Sequence, residues 1–373
     1  MSVKSIAIAS LLFLLPAGEV QAFNPIVGYG SSDVVLPAKN QELYYLGFEA
    51  GMTRQLGTTS LSEYVTTAQI SDGSYLGAVE SVKKLIDRDV KIIAGFPTSH
   101  EAVLVGRITR NLNVLTIFPS AGHSELAEMG NRVYTTSEPM SVTVDTMMDI
   151  ANKVKLKAAK SLITFNPRAV FSMNQDKELE RQIARGGIRG ESIEKIYLEQ
   201  NLRLDDVVIK ALREGMYNCV IITMYPDESV EIMKQLDENG IGVPIVTNSS
   251  WSTGDIEFLR RTIAHMKAPI YGFALLMKES SHYQEVAKYI EKRYGRKPTT
   301  EIIDGYDLGV IIGTIYKRMQ RRREYTDPLK SFQEDTCFTG TSVGKICFPK
   351  EGGHAIRTVY KVRISKDGWI SMQ

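Results

Sequence analysis

A chain of 373 residues with a formal net charge of only +2 can build two domains of ordinary size, and its mixed acids and bases argue against a nucleic-acid surface. The one basic cluster, Lys317-Arg318 with Arg321-Arg322-Arg323, reads as the solvated end of a helix. No CxxC, HExxH, GxSxG or P-loop is present, and the histidines His100, His123, His265, His282 and His354 lack metal-ligand spacing, so nothing supports a metal, a cofactor or an enzyme.

The first 22 residues read as a signal peptide. Lys4 supplies the positive region, residues 6–15 the apolar core, and Val20-Gln21-Ala22 the cleavage site, so the mature chain is expected to start at Phe23, soluble and exported. The apolar core is too short to span a bilayer comfortably, and no later stretch could do so. A short strand over 24–30 then closes in Gly28-Tyr29-Gly30, and Ser31-Ser32-Asp33 forms a loop. A helix is expected over 44–56, with Gly47 and Gly51 one turn apart so that it can pack closely on a sheet. Residues 62–69 alternate as a strand, and Ser71-Asp72-Gly73 caps a helix over 74–87.

The stretch 91–122 carries the clearest pattern. Ile92-Ile93-Ala94 ends in Gly95 and the small turn Pro97-Thr98-Ser99. A helical face follows (Ala102, Val103, Val105, Ile108), then a second apolar run, 114–118, ending in Pro119-Ser120-Ala121-Gly122. That is a βαβ unit with parallel strands and both turns at strand carboxyl ends, where open α/β sheets bind ligands. Thr98 and Ser99 either only cap the helix or also dock an anionic ligand group on its free N–H groups. His100 and His123 either line the same cleft or are exposed or capping.

After a strand over 132–136 the rhythm restarts near Pro139. Strands are expected at 161–165, 192–198, 219–224 and 243–247, and helices at 142–153, 176–185, 204–215 and 228–239, the last stopped by Gly240. Two such blocks predict an α/β chain of two doubly wound, Rossmann-like lobes. The final third holds a strand over 270–277, helices over 283–294 and 302–319, a hairpin over 338–348 and a strand over 358–364. With no low-complexity linker, the lobes must be joined by strand crossovers. Cys337 and Cys347 flank the hairpin turn and either bridge, as an exported chain allows, or stay as thiols; Cys219 reads as a buried free thiol.

In order along the chain, several segments resemble the type I periplasmic binding proteins, specifically the branched-chain amino-acid-binding branch of ABC transporter receptors. Ala94-Gly95-Phe96-Pro97-Thr98-Ser99 is similar to the loop where that family holds a ligand carboxylate. Phe118-Pro119-Ser120-Ala121-Gly122 with Glu125-Leu126 is similar to the segment that offers a carbonyl and a hydroxyl to a ligand ammonium. Tyr134-Thr135-Thr136-Ser137 resembles the first crossover, Tyr225 the second-lobe aromatic, Asp304-Gly305-Tyr306-Asp307 the Tyr-Asp-Ala helix, and Gly340 with Phe348 the penultimate hairpin.

The resemblance implies a multi-strand hinge, with lobe 1 formed by 23–138 plus 273–356 and lobe 2 by 139–272 plus 357–373. It implies a small polar or aromatic-bearing ligand held by Thr98, Ser99, Ser120, Ala121, Gly122, Tyr225, Ser249 and Trp251, hinge closure, and a membrane permease as partner, all in the periplasm. Trp251 either covers the ligand or packs on its own lobe. Two positions depart from the family: Gly122 replaces a threonine, and Ser249 stands where the second-lobe acid belongs, with Asp227 or Glu138 as possible substitutes. A desolvated ammonium needs such partners. A sensor subunit reporting to a signalling protein is the alternative, and an exported hydrolase a more distant one.

Overall fold

The two blocks of βα units fold into two separate sheets. The computed structural model describes residues 25–32, 38–70, 76–154, 160–199, 201–253, 263, 266–365 and 368–372. The expected signal peptide (1–22), Asp33, the Ser71-Asp72-Gly73 cap and His265 lie outside them. In chain order the first block comprises β1 (Val27–Ser32), α1 (Ala38–Leu56), β2 (Val65–Ile70), α2 (Leu76–Asp87), β3 (Ile92–Gly95), α3 (Ser99–Thr109), β4 (Leu115–Phe118), a 3₁₀ turn (Ser124–Glu128) and β5 (Val133–Thr135). The second holds α4 (Met140–Val154), β6 (Lys160–Phe165), α5 (Val170–Ala184), β7 (Ile193–Tyr197), α6 (Asp206–Arg213), β8 (Tyr217–Ile222), α7 (Pro226–Glu238), β9 (Ile245–Thr247), α8 (Ser250–Thr253) and β10 (Ile270–Ala274). The chain then runs through α9 (Ser281–Tyr294), α10 (Thr300–Arg322), α11 (Pro328–Gln333), the hairpin β11 (Cys337–Thr341) and β12 (Gly344–Cys347), β13 (Gly353–His354), β14 (Tyr360–Ser365) and β15 (Gly368–Ser371).

The first sheet has the order β13-β5-β4-β3-β1-β2 and is parallel throughout. The second runs β15-β14-β10-β9-β8-β6-β7, with only β14 and β15 antiparallel. Strand order reverses between β1 and β3 in one and between β6 and β8 in the other. Such switch points open a crevice beyond the strand carboxyl ends. Three segments cross between the sheets: 136–139, 275–280 and 355–359. β10 lies wholly in the second sheet, so that strand runs two residues past the expected boundary at 272/273.

Burial explains why these segments are strands. All of β3 and β4 is buried, as strands covered on both faces must be. On one face Tyr29, Ile92 and Ile117 meet Phe48 and Met52 of α1 and Leu308 and Ile312 of α10; on the other Ile93 and Phe118 meet Val82 of α2 and Val105 of α3. The second sheet is covered likewise, by α4 and α5 on one side and α6 and α7 on the other. Cys219 is a buried free thiol in that core.

Gly47 and Gly51 serve a helix and not, as expected, a sheet. A Cβ on Gly47 would lie 2.0 Å from the carbonyl oxygen of Ile302, and one on Gly51 2.1 Å from that of Tyr306. Gly305 and Gly309 of α10 answer them, with 2.1 and 2.2 Å to the carbonyls of Tyr44 and Phe48. α1 and α10 thus cross backbone to backbone along a four-glycine seam. That seam fixes the start of α10 against Tyr44.

Candidate functional site

The carboxyl ends of β3, β4, β8 and β9 bring most of the sequence candidates to the crevice. Ser120 ends the β4 turn with φ +59°, a left-handed conformation that costs a non-glycine residue energy and tends to persist at functional sites. Its hydroxyl donates to Asp304 Oδ2 at the start of α10, and Tyr44 in α1 donates to Ser120 Oγ at 3.4 Å. Burial pushes the Asp304 carboxyl up to about 6, opposed by Arg357 and by the Ser120 hydrogen bond, with Asp307 and Glu301 adding to the rise. Tyr44 is raised well above the usual phenol value by burial and then by Asp304 and Glu301; the Tyr225 phenol of the second lobe is close enough to add to the shift.

Tyr225 caps the start of α7. Its backbone N–H donates to Glu228 Oε2 at 3.1 Å, and Glu228 Oε1 accepts from Asn166 at 2.8 Å, tying the β6 and β8 loops together. The Tyr225 ring stacks on Phe171, centroids 5.1 Å apart and planes at 18°. Phe171 reaches across toward the first lobe: a Cβ on Gly122 would stand 3.8 Å from its ring and 3.5 Å from Ser137 Oγ. Where the family carries a threonine, this chain leaves room that a second-lobe aromatic borders. A second contact between the lobes joins Ser124 Oγ to Asn174 Oδ1 at 2.9 Å.

Thr98 is a helix cap in this geometry. Its hydroxyl accepts from the Glu101 backbone N–H at 3.4 Å and donates to Glu101 Oε2 at 2.7 Å, while its own N–H donates to that carboxylate at 3.2 Å. This reciprocal capping box satisfies the α3 start internally, with Glu101 only 2% exposed. Ser99 follows as the first helical residue, buried, with no hydrogen bond to its hydroxyl among the described residues. The Ala121 carbonyl accepts from Thr135 at 2.8 Å. His123 is capping: its Nδ1 accepts from Glu125 N at 3.2 Å.

Ser249 does not stand alone where an acid was expected. Its hydroxyl donates to Glu138 Oε1 at 3.0 Å, and Glu138, on the first crossover, also accepts from Thr143 at 3.1 Å and Ser137 at 3.0 Å. A hinge carboxylate, supported by three hydroxyls, therefore occupies the neighbourhood. Asp227 stays exposed in the first turn of α7.

Trp251 is a correction. It is fully buried in the second lobe's own core with Ile232, Ile245 and Ile270, and its Nε1 has no partner among the described residues. α8 begins at Ser250 and turns the indole inward, away from the crevice. Three residues of the site were missed in the sequence: Tyr44, Phe171 and Asp304. Asp304 had been read only as part of a motif. Phe171 was hidden because α5 starts at Val170, six residues before the helix expected from 176, which makes Phe171 a first-turn residue at a strand carboxyl end.

Cys337 and Cys347 pair directly in the hairpin register, with Cα atoms 4.0 Å apart and sulfurs 2.07 Å apart. Among the described residues no helix is long and apolar enough to cross a membrane.

Two doubly wound lobes, three crossovers and a polar crevice between the carboxyl ends of both sheets define the architecture of a bilobal solute-binding protein. A family profile described as periplasmic binding protein matches residues 73–368, and the chain belongs to that family. No curated protein sequence matches it. Among solved structures it is similar to a leucine binding protein from Thermotoga maritima, 13% identical with TM-score 0.75, the match covering 93% of this chain and 98% of that one. A solute-binding protein of an ABC transporter from R. palustris, in complex with benzoate, is 14% identical with TM-score 0.74 over 93% and 95%. An ABC transporter substrate-binding protein from Desulfitobacterium hafniense, in complex with Leu, is 13% identical with TM-score 0.71 over 93% and 99%.

Proposed function

We propose that this chain is an exported receptor that closes on a small solute bearing an apolar or aromatic body and delivers it to an ABC transporter in the cell envelope. The observation that carries the reading is the opposition of two unlike walls. Ser120, Tyr44 and Asp304 form a polar first-lobe wall, and the Phe171–Tyr225 stack forms an aromatic second-lobe wall. A ligand that touches both walls stabilises the closed state, and a permease that recognises this state reads the occupancy. The leucine and benzoate held by similar structures are consistent with a compact body of that size. Lobe 1 is taken as 23–138 plus 273–356, with the crossover after β10 moved to residue 275, and lobe 2 as the remainder.

The test is direct. Small-angle scattering of protein stripped by denaturation and refolding is compared with protein saturated by whatever mass spectrometry identifies in the denatured native preparation. Saturation is expected to reduce the radius of gyration, and Tyr225→Ala is expected to abolish that reduction while leaving the open protein folded. Unchanged radius at saturation sinks hinge closure. Export is tested separately: mass analysis of the native protein is expected to find Phe23 at the amino terminus, and retained Met1 rules the signal peptide out.

A further inference from the structure

We infer that Asp304 is the counter-ion for a ligand ammonium, so that the solute carries a protonated amine at its first-lobe end and an apolar or aromatic body beneath the Phe171–Tyr225 stack. The inference rests on the receptor reading above and adds the charge of the ligand to it.

Three observations lead there. First, the α3 amino terminus is already occupied: the Glu101 carboxylate takes the Thr98 N–H and hydroxyl. A ligand carboxylate arriving at that turn meets a buried like charge, which is costly. Second, Asp304 sits on the crevice wall with a single hydrogen-bond donor among the described residues, Ser120. The other charged and titratable groups around it are Tyr44 from α1, Glu301 and Asp307 from α10, and Arg357 from the third crossover, with Tyr225 beyond Tyr44. Arg357 is engaged elsewhere, with Asp307 at 3.4 Å and the Thr136 carbonyl at 3.2 Å. No cation among the described residues hydrogen-bonds Asp304. Third, Ser120 holds a left-handed backbone that turns its hydroxyl onto this carboxyl.

A half-buried acid without a cation partner is poised to accept one. An incoming ammonium restores its ionised form, which burial otherwise disfavours.

The test uses matched probes in thermal-shift and calorimetric titrations: 2-phenylethylamine, L-phenylalanine and 3-phenylpropionate, and their aliphatic counterparts isopentylamine, L-leucine and 4-methylpentanoate. Stabilisation at pH 7.5 is expected from ammonium-bearing probes and not from the two simple carboxylates. With the acid titrating near 6, about one-tenth of it is ionised at pH 5, so amine affinity should be roughly tenfold weaker there. Asp304→Asn should weaken amine binding about tenfold or more at pH 7.5 and flatten the pH dependence. Ser120→Ala, which keeps the carboxylate, should retain that pH dependence. If Asp304 only holds the Ser120 turn, Asp304→Asn weakens all probes alike, and the inference is overturned. If the carboxylates alone bind, the counter-ion role fails while the receptor reading stands. If neither arm binds, both readings fail.

Discussion

Residue by residue, the site divides into groups that stabilise the fold and groups that face a ligand. Thr98 belongs to the first kind. Thr98→Val should cost about 1 kcal/mol through loss of the α3 cap, seen as a lower melting temperature, with ligand affinity per folded molecule unchanged; an affinity loss without a melting change would return Thr98 to the binding surface. Asp304 belongs to the second kind, and its raised pKa carries a sign. The folded protein keeps a proton between roughly pH 4 and 6 that the unfolded chain releases, so stability is lost as pH rises through that window. The shift corresponds to a cost on the order of 2–3 kcal/mol at neutral pH. Urea titrations of ligand-free protein should show Asp304→Asn as stable as wild type at pH 4 and more stable at pH 7.5. Ser120, Tyr225 and the Thr98 turn were legible because small hydroxyls and a lone aromatic followed apolar runs. Trp251 was not placed, because an aromatic two residues past a strand end can point either way until the next helix fixes its phase.

At the scale of elements, the βα rhythm was readable throughout, since buried parallel strands are short apolar runs and the helices are amphipathic. What the one-dimensional pattern left out was partnership. The Gly47/Gly51 spacing signalled close approach without saying to what, and the answer lies some 250 residues downstream on α10. Gly51→Ala or Gly305→Ala places a methyl group about 2.1 Å from a backbone oxygen, so the helices must separate. Each change should cost 1–3 kcal/mol or more by the usual penalty of overpacking, and each should weaken ligand binding, because Tyr44 and Asp304 lie on the two parting helices. Unchanged denaturant midpoints would show that the seam is loose. The hairpin offers a second test: a bridge between Cys337 and Cys347 closes a loop of sequence separation 10, for which chain entropy predicts about 3 kcal/mol. Reductant should lower the melting temperature, and Cys337 should resist alkylation in the folded protein while Cys219 reacts only after unfolding.

For the whole molecule, the hinge holds the polar chemistry that the sequence concealed. Arg357, on the third crossover, bonds the carbonyl of Thr136 on the first and pairs with Asp307 of α10; the two side chains are 4% and 1% exposed. Ser342 completes the shell by donating to both Asp307 oxygens, at 2.6 and 2.7 Å. Arg357→Met leaves Asp307 buried without its cation and should cost 3–5 kcal/mol. Adding Asp307→Asn should recover part of that loss, and strict additivity in the double-mutant cycle would deny the coupling. None of this was legible beforehand, because charged residues over fifty or more positions apart carry no local signature.

The glycine seam also divides the labour of recognition. One jaw of the crevice is machined to a tolerance of a single hydrogen atom, so its chemistry can be retuned only by exchanging side-chain tips such as those of Ser120 and Asp304. The opposite jaw presents Phe171 and Tyr225 from the first turns of two helices with no comparable constraint. A library directed at 171, 225 and 249 should therefore yield folded receptors with altered body preference but an unaltered head-group requirement, whereas randomising 47, 51, 305 and 309 should yield few that fold at all.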